Sequence, residues 1–351
     1  MTPAKGAGTD QRLNQNGLEP ELSSGGSASS VADPIAALGD RLGQTTLRQR
    51  LDLEAAHTKK KRIFGSRPSL FSRSAWKRAT LWHGLHALGL YERGYRNFKD
   101  VQVRSNRVML PALPQAFDGY RILHLSDLHI DLDTSLTDVI IDRVGRVSYD
   151  LCVITGDFRS ETFGPSDLAL TETARLVTHL RSPIFAILGN HDYVETVPPL
   201  EAAGVQFLLN ETVPIQRYDT SIYLSGIDDP YFYKTEDIFR ASRAIPTDAI
   251  SVLLSHTPDV YPLAAAEGYD LLLCGHTHAG QLCFPGGHAI QRNIRSPRHM
   301  TQGPWRYRQM AGYTSAGTGA TNLPIRFFCP PEITLHELCI DDSIAIPTPD
   351  G

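Results

Sequence analysis

Short, largely apolar runs of four to seven residues recur along the middle of the chain, and each breaks off at a polar or glycine-containing turn. They are Tyr120 to Ser126 (YRILHLS), Leu151 to Thr155 (LCVIT), Ile184 to Leu188 (IFAIL), Ile250 to Leu254 (ISVLL) and Leu271 to Cys274 (LLLC). A strand that is apolar at successive positions has both faces covered, so these five runs predict buried strands. Between them, residues 136–147, 169–181 and 260–267 place apolar positions three and four apart and predict helices. Strands alternating with helices make an α/β domain. Further strand-like pieces at 205–209, 222–225, 311–315 and 333–338 have no helix between them and predict a second, more antiparallel layer.

The first hundred residues have another texture. Residues 1–43 are rich in Gly, Ser, Ala, Asn, Gln and Thr with next to no aromatics, which predicts a disordered tail unable to offset its ordering entropy. Residues 44–56 predict a short helix. Thr58 to Arg78 then carries Lys59, Lys60, Lys61, Arg62, Arg67, Arg73, Lys77 and Arg78 without an acid, and reads as the one strongly one-signed segment. Trp76, Leu81, Trp82, Leu85, Leu88 and Leu90 follow near helical spacing. Such a basic amphipathic stretch suits an anionic bilayer surface, through residues 58–98, or equally a helix packed on the following domain. The organisation expected is a tail (1–43), a basic amphipathic region (44–100), a catalytic domain (101–340) and a flexible C-terminus (341–351).

Composition narrows the partners. The chain has 351 residues, with 34 Lys and Arg against 38 Asp and Glu and a formal charge of −4. That gives no field to gather nucleic acid, and the basic residues form no continuous groove-like pattern, so no specific nucleic-acid partner is expected. The five Cys, at 152, 274, 283, 329 and 339, contain no C-x-x-C, which argues against a disulfide framework or a thiolate zinc cage and for a reducing compartment. No apolar run approaches the roughly 20 residues of a spanning helix, and no signal peptide opens the chain. The expectation is a cytoplasmic protein, at most peripheral to the inner face of the membrane.

Chemistry gathers where the buried strands end. Asp127-Leu128-His129 follows the first, Gly156-Asp157 the second, Gly189-Asn190-His191-Asp192 the third, Ser255-His256 the fourth, and Gly275-His276-Thr277-His278 the fifth. Ligands of open α/β sheets collect at the carboxyl ends of strands, so five loops can converge on one place. Two divalent ions about 3.5–4 Å apart need a shared carboxylate, supplementary imidazoles and open positions. Asp157 is the natural bridge, and alternation in an extended H-x-H lets His276 and His278 face one ion each. Nitrogen and oxygen donors without thiolate favour Mn, Fe, Zn or Co.

In this order, DLH, GD, GNHD, H and GHTH resemble the calcineurin-like metallophosphoesterase superfamily over about residues 118–340. The resemblance implies a four-layer α/β/β/α sandwich of two packed mixed sheets. It implies one ion held by Asp127, His129, Asp157 and His278 and another by Asp157, Asn190, His256 and His276, with Mn2+ foremost. A metal-bridging water would attack phosphorus, His191 would stabilise the transferring group or protonate the leaving oxygen, and Asp192 would orient that imidazole. GHTHAGQ at 275–281 and LPIRFFCPPEIT at 323–334 further resemble the bacterial YkuE/LpxG-like branch, which implies hydrolysis of a phosphodiester or of a nucleotide-lipid pyrophosphate such as UDP-2,3-diacylglucosamine in lipid A synthesis. Phosphoprotein phosphomonoesterase activity and a non-catalytic metal-bound scaffold are the alternatives. The chain departs from the branch at Ala279, where Gly is usual, and at Gly-Asp-Phe-Arg-Ser-Glu (156–161).

Those departures make Arg159 a candidate for a substrate phosphate, as are Arg295 and Arg298 in the basic stretch that runs from Arg292 to Arg308. His57, His83, His86, His124, His179, His288, His299 and His336 read as surface or core residues, Asp228 and Asp229 as turn residues, and Cys152 and Cys274 as packing.

Overall fold

The continuous apolar runs require cover on both faces, and the chain supplies it with four layers. A computed structural model describes residues 34–65 and 73–341, with side chains described outside 60–77. Four helices come first: α1 (Pro34–Leu42), α2 (Gln44–Gly65), α3 (Arg73–Ala87) and α4 (Tyr91–Lys99). Strands β1 (Gln102–Leu110), β2 (Arg121–Leu125), β3 (Leu151–Ile154), β4 (Ile184–Ala186) and β5 (Gln206–Phe207) follow, with helices α5 (Ser135–Val144), α6 (Asp167–Val177) and α7 (Val197–Ala202) between the last four. Then come β6 (Glu211–Arg217), β7 (Thr220–Gly226), α8 (Ile238–Ser242), β8 (Ser251–Leu254), α9 (Tyr261–Ala266) and β9 (Leu271–Cys274). A two-stranded ribbon of β10 (Cys283–Phe284) and β11 (His288–Ala289) precedes β12 (Gly303–Tyr307), β13 (Met310–Thr314) and β14 (Glu332–Ile340).

One six-stranded sheet has the order β1-β14-β2-β3-β4-β5, and the other β12-β13-β9-β8-β7-β6. Both are mixed. In the first, β2 to β5 run parallel and β14 antiparallel to β2; in the second, β7, β8, β9 and β13 run parallel, with β6 and β12 antiparallel at the edges. The expectation of a separate antiparallel layer is thereby corrected. The strand-like pieces at 205–209 and 333–338 join the first sheet, those at 222–225 and 311–315 the second, and the buried strands β8 and β9 leave the first three to form the second sheet's centre.

Alternation within each buried strand divides the core. Ile122, Val153 and Phe185 meet Leu224, Val252, Leu254, Leu271 and Leu273 between the sheets. Leu123, Leu125, Cys152 and Ile154 point the other way, under Leu136 and Ile140 of α5 and Leu176 of α6. Leu253, Leu272 and Cys274 do the same on the far side, under Ala241, Val260 and Ala264. A period of two thus builds three apolar interiors between four layers.

The N-terminal boundary needs correction at residues 34–43. Pro34–Leu42 is helix, and Leu38, Leu42 and Leu47 enter the core beside Val205, Phe207 and Leu209. Composition hid this because a few leucines at helical spacing suffice once a folded surface receives them. Arg41 fixes the attachment through Glu201 and Glu211, both at 2.9 Å. Residues 1–33 and 342–351 lie outside the described residues, as do the side chains of Lys60 to Lys77. Helix α2 also outruns its expected length, extending to Gly65. On α3, Leu85 packs against Leu323 and Ile325, while Leu81, Trp82 and the following Leu88 are exposed. Among the described residues no helix is long and apolar enough to cross a membrane.

Candidate metal centre

The loops after β2, β3, β4, β8 and β9 meet at one end of the sandwich and bring all seven expected ligands together. Asp157 is central. Its Oδ2 lies 3.2 Å from His256 Nε2 and 3.7 Å from His129 Nε2. On one side, Asp127 Oδ1 is 3.3 Å from His278 Nε2, and His129 Nε2 and His278 Nε2 are 3.1 Å apart. On the other, His256 Nε2 is 3.0 Å from Asn190 Oδ1 and 3.2 Å from His276 Nδ1. Asp127, His129 and His278 form one group able to hold a cation, and Asp157, His256 and His276 another.

The donor set fits divalent ions. His129 and His256 turn Nδ1 to the carbonyls of Arg159 and Thr155, each at 2.7 Å, and His276 turns Nε2 to that of Asn293 at 3.1 Å. A ring nitrogen on a carbonyl carries the proton, so the opposite nitrogen presents its lone pair to the cluster. Electrostatics agree. Burial pushes His129 and His276 down to about 3, Asp157 opposing, and burial lifts Asp127 to about 6. His256 goes the other way: burial would lower it, yet the Asp157 carboxylate holds it up at about 10. The buried carboxylates create a demand for positive charge that a cation would meet directly.

The backbone is unusual at the ligands. Asp127, His129, Asp157, His276 and His278 all have positive φ, between 39° and 70°. Non-glycine residues avoid this region, and its concentration at one site marks a geometry imposed by the surrounding fold. The glycines help in two ways. Gly156 has φ +87° and turns the chain into Asp157, whereas at Gly275 the need is space, since a Cβ there would stand 1.8 Å from Ser126 Oγ.

His191 stands beside the cluster. Its Nε2 is 4.0 Å from Asp157 Oδ2, its side chain is partly exposed, and its Nδ1 is 2.7 Å from the Ser160 carbonyl. That last contact corrects the expected role of Asp192. The Asp192 carboxylate accepts instead from the backbone N–H groups of Asp157 (2.7 Å), Phe158 (2.9 Å) and Gly189 (2.8 Å). It ties the β3 and β4 loops together and positions Asp157, while a carbonyl orients His191.

The arginines are also redistributed. Arg159 is buried, donates through Nη2 to the carbonyls of Phe163 and Gly164, and lies over the Tyr193 ring, so it braces the 159–166 loop away from the surface, with Nε and Nη1 buried and, among the described residues, without a hydrogen-bond partner. Its phase along the loop turns it inward, which sequence could not reveal. Arg295 and Arg298 are exposed, and among the described residues neither side chain has a hydrogen-bond or ion-pair partner. Their loop reaches the centre through Asn293, and Arg292, Arg298, His288 and His299 line a cavity of about 550 Å³ behind Ala279. One signal for this face stood in the sequence: no Asp or Glu occurs between Asp270 and Glu332, a second one-signed segment that the reading of the basic N-terminal region overlooked.

Sequence reasoning missed the contribution of α2. Arg50 is wholly buried, pairs with Asp228 and Glu54 at 2.7 and 2.9 Å, and donates to the Asp192 carbonyl at 2.7 Å. Glu54 accepts from the Val194 N–H, and His57 and Thr58 contact Thr162 and Tyr193. Asp229 behaves as the expected turn residue, accepting from the N–H groups of Tyr231, Phe232 and Tyr233, but Asp228 is the buried partner of Arg50. Tyr231 lies on the His276 ring at 4.2 Å. No pattern within residues 44–56 announces these long-range pairs.

A family model described as calcineurin-like phosphoesterase matches residues 120–280. The chain is similar to the uncharacterized metallophosphoesterase YkoQ of Bacillus subtilis, 29% identical over 69% of this chain and 92% of that one. It is similar also to YkuE of the same organism, 28% identical over 70% of this chain and 89% of that one. Among solved structures, a phosphopantetheinyl hydrolase of Mycobacterium tuberculosis aligns with 66% of this chain and 99% of its own at 10% identity and a TM-score of 0.40.

Proposed function

We propose that this chain is a hydrolase of the calcineurin-like phosphoesterase superfamily that cleaves a phosphodiester or pyrophosphate bond at a centre of two divalent ions. The observation that carries this is Asp157, one carboxylate facing His256 on one side and His129 on the other, with the partly exposed His191 beside it. Two bound ions would supply Lewis acidity, making hydroxide available near neutral pH and neutralising charge at phosphorus. Asp127, His129, Asp157 and His278 would hold one, and Asp157, Asn190, His256 and His276 the other. Asn190 contributes a neutral oxygen, which limits the negative charge facing an anionic substrate. His191, held by the Ser160 carbonyl through Nδ1–H, directs Nε2 at the centre, and in its imidazolium form would donate the Nε2 proton to the leaving oxygen.

The substrate proposed is an amphiphilic phosphate ester, with UDP-2,3-diacylglucosamine the leading candidate. Arg295 and Arg298, exposed on a loop whose backbone is held by the Asp259 carboxylate through the Arg295 and Ser296 N–H groups, suit the distal phosphate of a nucleotide. Exposed Tyr231 and Phe232 border His276 and His57, and Leu81, Trp82 and Leu88 offer apolar side chains on the α3 side, where Arg78 reaches Glu161 of the loop that orients His191. These features support peripheral contact with an anionic membrane through residues 58–98 and placement at the inner face of the cytoplasmic membrane.

The test is Asp157→Asn, with metal content and bis-p-nitrophenyl phosphate turnover measured together. Loss of bound metal and a fall in turnover of more than about 100-fold are expected, since ligands outweigh their outer partners. Full activity would overturn the mechanism. Product analysis with UDP-2,3-diacylglucosamine, beside a phosphopeptide panel, decides the substrate: UMP as product supports the pyrophosphatase reading, and turnover of phosphopeptides alone replaces it.

A further inference from the structure

Two histidines that sequence reading left as bystanders lie buried between the sheets. His124 is on β2 and His336 on β14, the strands that pair at the centre of the first sheet. Both are wholly shielded from solvent. Polar rings in an apolar interior are costly unless every polar atom finds a partner, and here each one does. The half-exposed Asn106, opposite His336 in the β1–β14 register, places Nδ2 3.0 Å from His336 Nδ1. His336 Nε2 is 3.2 Å from His124 Nδ1, and His124 Nε2 is 2.9 Å from Thr155 Oγ1. Thr155 Oγ1 then lies 2.8 Å from Ser126 Oγ, and Ser126 Oγ 2.6 Å from Asp127 Oδ2.

The direction of every bond follows from its inner end. The Ser126 hydroxyl donates its single proton to Asp127 Oδ2. Thr155 must therefore donate to Ser126, and its own oxygen must receive the proton of His124 Nε2. Burial keeps both imidazoles neutral, pushing His124 down to about 3 and His336 well below its ordinary value. His124 Nδ1 is then an acceptor, His336 donates through Nε2, and His336 Nδ1 accepts from the Asn106 amide. Five bonds run one way, from the β1 edge to the metal centre. Hydrogen bonds aligned in series polarise one another, and an outer partner that fixes a ligand tunes metal affinity.

We propose that His124 and His336 are positioning residues of the metal centre, closing a one-way hydrogen-bond chain that holds the Ser126 hydroxyl on Asp127. Together with the His276 N–H, which donates to both oxygens, the chain holds the Oδ2 side of the carboxylate and leaves Oδ1 toward His278. This rests on Asp127 being a ligand, though not on the reaction or the substrate.

The first experiment needs no variant. Long-range 1H–15N spectra of the full chain with 15N-labelled histidine, metal-free and zinc-loaded, should report both rings as neutral tautomers protonated at Nε2 across pH 7 to 8. A proton on Nδ1 of either ring overturns the proposal. The second is a cycle of Ser126→Ala, His124→Phe and the double variant, read by Mn2+ affinity against a competing chelator, with thermal unfolding recorded separately. Each single change should weaken Mn2+ by about 10-fold, and the double no further than the worse single, because both remove the same donor from Asp127. Additive losses, or unchanged affinity in Ser126→Ala, would show that the histidines serve packing alone. Ser126→Ala removes only a hydroxyl, so it decides the matter even if His124→Phe does not fold. Failure of the native chain to bind metal would instead count against the proposed function, with the tautomers still measurable.

Discussion

Arg50 Nη1 lies 2.7 Å from Asp228 Oδ1, and both side chains are wholly buried, one on a helix ahead of the sandwich and the other at the end of β7. This pair makes the N-terminal helix part of the metal site's frame, since the same guanidinium also donates to the carbonyl of Asp192. Replacing Arg50 with Met should strand the Asp228 charge in an apolar setting. A loss of about 3–5 kcal/mol is expected in urea unfolding, well beyond a surface ion pair.

His191 is separable from metal binding because the Ser160 carbonyl, rather than a ligand, orients it. His191→Ala should retain bound metal and lose about 10²–10⁴-fold in kcat toward substrates with poor alkoxide leaving groups. Nitrophenyl esters, whose leaving group needs no proton, should suffer far less. Comparing kcat for the two substrate types gives the answer, and equal losses would remove His191 from the role of acid.

Glu54 gives a pH signature to stability. Burial raises its carboxyl from the ordinary 4.5 to about 7, against the pull of Arg50. Below 4.5 the group is protonated in the folded and the unfolded chain. Between 4.5 and 7 the folded protein keeps a proton that the unfolded chain has lost, so this contribution falls as pH rises through that window. Glu54→Gln keeps the shape and removes the titration, and should flatten the pH dependence of urea midpoints between pH 5 and 7.

Ala279 has φ +52° and is fully buried, a conformation that glycine adopts without strain. Ala279→Gly should therefore raise the thermal midpoint or leave it unchanged, by up to about 1 kcal/mol, with metal content intact. A clear loss of stability would mean that the methyl group's packing against Cys283 and Ala316 outweighs the strain.

Much of the site was legible because it is local in sequence. Asp127, Asp157, Asn190, His256, His276 and His278 each stand at or just past the end of an apolar strand, and strand ends converge in any α/β layer. What stayed hidden was contact between segments far apart in the chain. Arg159 follows Asp157 by two residues, yet the turn of its loop sends it inward to Phe163 and Gly164. Asp192 neighbours His191, yet its carboxylate belongs to three N–H groups of two loops. The assignment of β8 and β9 to the second sheet also escaped, because periodicity tells a strand which faces are apolar and not which neighbour covers them.

The sequence alone determined the α/β class and the five strand ends at which the candidate ligands stand, since residue type and local spacing settle those. The tertiary structure decided how the N-terminal helices brace the site, which arginines face solvent, and that His124 and His336 join a chain ending on Asp127. They include pairings 142 and 212 positions apart in sequence, fixed by the stacking of layers around three interiors and by the cost of leaving a buried polar atom without a partner.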